Sequence, residues 1–164
     1  MPASFPLSWI CVGGVANIRH EGIQEALRMF PPVPVGVPRE VPAPGKEILG
    51  RFVAPGTRVS VHHYATYHSP ANFGEPDRFL PERHLAGSDA AGKDRREALQ
   101  PFGFGPRNCI GQNMAMHEMR LIMASLLLRF DLELCDPEAD WFDMKAFVLW
   151  NKQPLMCRVK EVKL

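Results

Sequence analysis

The chain has 164 residues, enough for one ordinary domain with a real core, and its 46% hydrophobic content fits a globular protein. A formal net charge of +1 gives no bulk electrostatic case for binding nucleic acid or a charged membrane surface. The four cysteines, at 11, 109, 135 and 157, form no C-x-x-C and no close pair, which argues against a zinc ribbon or a dense disulfide framework and fits reduced thiols.

In chain order, "FPLSWICVGGVA" is apolar but shorter than the ~18–20 residues a membrane span needs, and no basic segment precedes it as in a signal peptide. Residues 1–18 show no clear period and are set apart as a divergent N-terminal segment. "RHEGIQEALRMF" reads as a helix with Ile23, Leu27 and Phe30 on one face, ended by Pro31 and Pro32. "VPVGVPREV" looks extended. "GRFVAPGTRVSVHHY" reads as a hairpin across Pro55-Gly56, with Val59, Val61 and His63 alternating with Arg58, Ser60 and His62. "HSPANFGEPDRFLPERHL" is punctuated by prolines into short helices and loops, and "AGSDAAGKDRREAL" reads as a solvated, mobile loop. Residues 111–129 carry the strongest helix signal, apolar nearly all round from Met119 to Leu128, which predicts a buried core helix. "FDLEL" is expected as a strand. "AFVLWNKQPLMCRVKEV" is expected as a final hairpin with Leu155, Cys157 and Val159 on one face. Neither an internal repeat nor a domain linker interrupts the chain.

The informative stretch is "FGFGPRNCIG", residues 102–111. Gly103 and Gly105 allow positive φ and let a bulky ligand approach the backbone, and Pro106 stiffens the turn. Cys109 falls at the expected start of the long helix, where unpaired amides and the helix dipole favour a thiolate. Arg107 adds a positive charge for an anionic group, and Phe102 an aromatic wall. These parts suit a soft metal held by one protein ligand and a large flat cofactor. The bland alternative is a free cysteine packed beside a glycine turn.

Phe102, Gly105, Arg107, Cys109 and Gly111 fill the fixed positions of F-x-x-G-x-R-x-C-x-G, and the stretch resembles the haem-binding signature of the cytochrome P-450 (haem-thiolate monooxygenase) superfamily. The resemblance implies that Cys109 is the axial thiolate of a haem b iron, that Arg107 pairs with a haem propionate, and that Phe102 shields the sulfur. Gly103, Gly105 and Gly111 would make room for the porphyrin. Arg39 in "VPRE" matches a second propionate-pairing position; its plain reading is a strand-edge surface arginine. "EALR" sets Glu25 and Arg28 three residues apart, on its own an exposed ion pair worth ~0.2–0.5 kcal/mol. With Arg83 from "FLPERH", the resemblance implies a Glu25–Arg28–Arg83 network bracing the segment beside the cysteine loop. Residues 34–37 and the turn around Leu149 and Trp150 match segments that line the family's substrate pocket, although apolar strand packing explains them equally well.

The sequence departs from the family pattern in two places. His84 stands where phenylalanine is frequent, and Tyr67-His68-Ser69-Pro70 replaces the frequent His-Arg-Asp-Pro. Cys11, Cys135 and Cys157 read as ordinary core or strand cysteines. His62, His63 and His117 lack metal-site spacing, and His62 and His63 would point to opposite faces of a strand.

The implied fold is mainly α with small β-sheets (α+β), the C-terminal haem-binding part of the cytochrome P-450 fold, over residues 19–164. It is expected to be truncated. The family's distal helix with its proton-delivering acid–threonine pair and the family's N-terminal membrane anchor have no counterpart, and members of this type usually sit on the endoplasmic reticulum membrane. The implied function is haem-dependent insertion of one oxygen atom from O2 into a small apolar organic substrate, with electrons from an NADPH-dependent reductase. The overall wording resembles filamentous-fungal members that act in secondary metabolism. The alternative is a non-catalytic relative that binds haem weakly or serves as an interaction module, and a zinc- or redox-thiol protein comes third. The chain alone is expected not to turn over substrate.

Overall fold

The structure, a computed structural model, describes residues 18–88, 92, 94–140 and 143–162. The apolar stretch 5–16, with Cys11, lies outside the described residues, as do 89–91 and 93 of the expected solvated loop.

The described residues form helices Ile18–Met29 (α1), His63–Tyr67 (α2) and Gln112–Arg129 (α3), single 3-10 turns, and short antiparallel strand pairs. The fold is therefore mainly α with small sheets, as expected. α1 ends where Pro31 and Pro32 cannot donate to a further turn. Its Ile23 and Leu27, four residues apart, are buried with Met116 of α3, and Phe102 and Met119 pack onto that cluster. The other side of α1 is buried too, although it carries Glu25 and Arg28, both 0% exposed. One helix thus separates an apolar core from a charged one.

The strand pairing differs from the sequence expectation. Strand Lys46–Ile48 (β2) pairs with Arg51–Val53 (β3) across Leu49-Gly50, both with positive φ, the geometry of a tight primed hairpin turn. A turn does exist at Pro55-Gly56, where Thr57 N–H donates to the Ala54 carbonyl at 3.3 Å. Its flanks, however, belong to different sheets. Arg58–Val59 (β4) pairs with Arg39–Glu40 (β1), in register Arg39 opposite Val59. "VPVGV" is not extended throughout, because Gly36 N–H turns back to the Val33 carbonyl at 3.3 Å. Gly36 has φ 71°, and a β-carbon there would meet the Val61 carbonyl oxygen at 2.0 Å. Only glycine lets these two backbones touch.

His63 does not alternate along a strand but opens α2. Tyr64 N–H donates to the Pro34 carbonyl at 2.9 Å and the His63 Nδ1 meets the Val33 carbonyl at 3.0 Å, which turns the chain into helix. His63 is buried, its ring stacked on Tyr67 at 5.4 Å.

α3 forms as expected, yet it is not a buried helix in this chain. Met116 is its buried residue, while Leu121 is 69% and Ile122 56% exposed. α1 covers one side of it, and no other described element covers the rest. Strand Phe130–Leu134 (β5) follows as expected, but its partner is Cys157–Glu161 (β6), Leu134 opposite Cys157. The "AFVLWNKQPLMCRVKEV" stretch is therefore not a self-paired hairpin. Ala146 and Trp150 share only an isolated bridge, and Leu155, ahead of β6, is exposed. Cys135 is likewise exposed, not core, though its N–H continues the ladder to the Met156 carbonyl at 3.0 Å.

Candidate functional site

The cysteine loop is shaped by its backbone. Gly103 and Gly105 adopt φ of 76° and 77°, as the sequence anticipates, and 105–107 form a single 3-10 turn. Gly103 N–H donates to the Gln100 carbonyl at 2.9 Å, and Cys109 N–H closes the loop onto the Phe102 carbonyl at 2.8 Å. Cys109 lies three residues ahead of α3 rather than in its first turn, and its carbonyl accepts from Gln112 N–H at 3.3 Å. The thiol is free and exposed. Gly111 lies beside it, where a β-carbon would make only an ordinary contact with Cys109 Sγ at 3.8 Å. The neighbouring apolar side chains face out too, Phe104 at 82% and Ile110 at 104% exposure. Phe102 is half-buried against the Ile23–Leu27–Met116 cluster, so it anchors the loop to the core.

Arg39 and Arg107 are brought together. The Arg39 guanidinium donates to the Arg107 carbonyl at 3.1 Å, and both side chains are exposed beside the loop. The Arg39 position at the end of β1 is thus coupled to the loop, not an isolated strand edge.

The Glu25–Arg28–Arg83 network is present and buried. Arg28 grips the carboxylate of Glu25 two-pronged, Nε to Oε2 at 3.0 Å and NH2 to Oε1 at 2.9 Å. Arg83 Nε reaches Oε1 at 3.0 Å, as does Leu80 N–H. The structure adds members that sequence reasoning missed. His84 Nε2 donates to Glu25 Oε2 at 2.9 Å, and Arg83 NH1 donates to Asp94 Oδ2 at 2.5 Å. The missed signal for His84 was the departure itself, a polar ring where an apolar one is common. Burial pushes the Glu25 carboxyl up, but hydrogen bonds from His84, Arg28 and Leu80 and the Arg28 charge outweigh it and hold the carboxyl at about 2.

The network reaches the cysteine loop through Tyr67. Arg28 NH1 donates to the Tyr67 carbonyl at 2.8 Å, and the Tyr67 hydroxyl accepts from Gln100 N–H at 3.0 Å, just ahead of Phe102. Burial pushes the Tyr67 phenol up to about 12, so it stays neutral.

The segments expected to line a pocket divide. Pro34 is buried and Val37 exposed, Leu149 is exposed, and Trp150 turns inward, its indole N–H donating to the Pro31 carbonyl at 2.7 Å. Apart from the loop, a polar cleft of about 470 Å³ lies between α1 and α3, where Arg120 donates to His20 Nδ1 at 2.8 Å. Among the described residues no group of three or more His, Cys, Asp or Glu side chains gathers, and no helix is long and apolar enough to cross a membrane.

A family model described as "Cytochrome P450" matches residues 20–158. The chain is 49% identical over 158 residues to the cytochrome P450 monooxygenase lcsI of Purpureocillium lilacinum, covering 95% of this chain and 30% of that protein. It is 46% identical over 144 residues to a trichothecene C-4 hydroxylase of Trichoderma arundinaceum, covering 84% of this chain and 29% of that protein. The retinoic acid-bound structure of cyanobacterial CYP120A1 is similar with a TM-score of 0.75 and 27% identity, over 87% of this chain and 33% of that one. The chain thus spans less than a third of the length of the curated relatives it matches.

Proposed function

Because the chain belongs to the cytochrome P450 family, we propose that it is the haem-ligating part of a monooxygenase acting on a small apolar organic substrate. The observation that carries this reading is the exposed Cys109 thiol on a loop bent by two left-handed glycines. A single thiolate donor and an open, apolar-rimmed loop would suit a flat macrocyclic metal cofactor held through one protein ligand. Cys109 would hold the iron. Arg107 and Arg39, whose guanidinium already meets the Arg107 carbonyl, would pair with the propionates, and exposed Phe104 and Ile110 would offer apolar contact to the macrocycle. Phe102, packed on the α1–α3 core, would keep the sulfur at a fixed height and away from water. When bound, haem supplies the activation of O2 and the insertion of one oxygen atom into the substrate.

Electrons would reach this protein from an NADPH-dependent reductase, and the setting would be the endoplasmic reticulum membrane, as for anchored relatives of this type. The likeness to fungal enzymes, one of them named for hydroxylating a trichothecene, supports a role in secondary metabolism. The test is optical: the purified chain is loaded with haem, reduced and exposed to carbon monoxide. A red-shifted thiolate-type Soret band is expected, and a band of the imidazole or unligated type refutes the reading.

A further inference from the structure

We propose that Asp94 is a positioning residue for Cys109, fixing the return path of the chain into the cysteine loop through Arg83 and Gly74. This deepens the reading of Cys109 as the haem thiolate and rests on it. By sequence Asp94 sits in a charged stretch that looks solvated, yet its side chain is 1% exposed. Both its oxygens are engaged. Oδ2 accepts from Arg83 NH1 at 2.5 Å, and Oδ1 accepts from Gly74 N–H at 2.7 Å. All three Arg83 nitrogens thereby donate, since its Nε serves Glu25 and its NH2 the carbonyls of Gly74 and Glu75.

Charge balance assigns Asp94 its weight. The cluster buries two guanidinium groups, Arg28 and Arg83, and Glu25 alone supplies one negative charge. Asp94 supplies the second, and without it a buried cation is left uncompensated. His84 adds a further hydrogen bond to the Glu25 carboxylate.

The backbone after Asp94 is then stitched at intervals. Arg95 N–H donates to the Asn72 carbonyl at 2.7 Å, Gln100 N–H to the Tyr67 hydroxyl at 3.0 Å, and Cys109 N–H to the Phe102 carbonyl at 2.8 Å. Asn72 itself is held by the Thr66 carbonyl, next to Tyr67, at 3.0 Å. Asp94 is the first stitch, and the one that carries charge. Losing it frees the register of the run that delivers Phe102 and hence Cys109.

The experiment compares wild type, Asp94→Asn and, as control, the exposed Glu97→Gln, all haem-free, by amide hydrogen exchange. A parallel set is loaded with haem, reduced and exposed to carbon monoxide. In Asp94→Asn, exchange at Gly74, Arg95, Gln100 and Cys109 should quicken roughly tenfold or more, while amides in β5 stay unchanged. The share of thiolate-type Soret band should fall with it, and Glu97→Gln should match wild type in both. Unchanged exchange at Gln100 and Cys109 in a folded Asp94→Asn overturns the proposal, whatever haem does. A wild type that shows the coupled exchange but no thiolate band refutes the haem reading and leaves the Asp94 coupling supported. If Asp94→Asn does not fold, wild type decides: the four amides should exchange through one shared opening with equal denaturant dependence, and separate openings overturn the proposal.

Discussion

The indole of Trp150 lies flat on the ring of Phe30, centroids 4.6 Å apart and planes 17° from parallel. The same indole donates to the Pro31 carbonyl at 2.7 Å and meets Tyr64 edge-on at 5.6 Å. Residues 120 apart in sequence thus clamp the end of α1 to the turn before β6. Trp150→Ala should destabilise the chain by about 1–3 kcal/mol and Trp150→Phe by about 1, since phenylalanine keeps a stack and loses the hydrogen bond. Urea unfolding followed by far-UV circular dichroism measures both, and equal midpoints for Trp150→Phe and wild type would show that the hydrogen bond contributes nothing.

Cys109→Ser should abolish the thiolate-type carbon monoxide spectrum, while Cys135→Ser and Cys157→Ser keep it. The contrast follows from the setting: Cys109 is the thiol on the glycine loop, and the other two stand at the β5–β6 pair. A retained red-shifted band in Cys109→Ser would transfer the ligand role elsewhere.

Glu25 accepts from five donors, so Glu25→Ala should cost about 3–5 kcal/mol by stranding buried Arg28 and Arg83. The carboxyl also sets an acid limit. Its folded value of about 2 lies below the ordinary 4.5, so the unfolded chain takes up the proton first. The contribution, about 3 kcal/mol, is full above pH ~4.5 and is lost as pH falls towards ~2. Stability measured across that window should fall steeply in wild type and more gently in Glu25→Gln.

His63 and His68 act at higher pH. Burial lowers both below the ordinary 6.5, outweighing the backbone carbonyl that each ring meets. The unfolded chain therefore binds these protons more readily, and their contribution is present above pH ~6.5 and lost as pH falls below it. His63→Phe should flatten the change in urea midpoint between pH 7.5 and pH 5.5 (roughly the span of a histidine titration). An unaltered slope would mean that His63 takes up its proton equally readily in the folded and unfolded chain.

Leu121→Gln tests the exposed side of α3. At 69% exposure it should change the stability of this chain by less than about 0.5 kcal/mol. A loss near 2 kcal/mol would place Leu121 in a core.

The sequence was most legible where chemistry is local. The φ-demanding glycines of the cysteine loop, the α1 stop at Pro31 and the i, i+3 pair Glu25–Arg28 follow from neighbouring residues. Strand partners were not legible. A two-residue strand such as β4 has no pattern that chooses β1 over β3, and the choice is made by the Val41–Thr57 backbone bond. Asp94 was hidden for a related reason: a carboxylate is buried only when a distant guanidinium meets it, and composition near Asp94 says solvent. The apolar girth of α3 misled in the opposite direction, because periodicity reports what a helix could bury, not what this chain provides to bury it.

The contact of Gly36 with the Val61 carbonyl has a consequence for variation. Where two main chains touch, their separation is a fixed quantity that mutation cannot tune. An alanine at 36 would have to push 61 away and carry the start of α2 with it. Lineages that diversify the surface formed by 34–37 are therefore restricted to one kind of change, the size and shape of side chains such as half-buried Val35 and exposed Val37, on a floor of constant height. A library randomised at 35 and 37 should yield folded variants freely, and one randomised at 36 should return glycine.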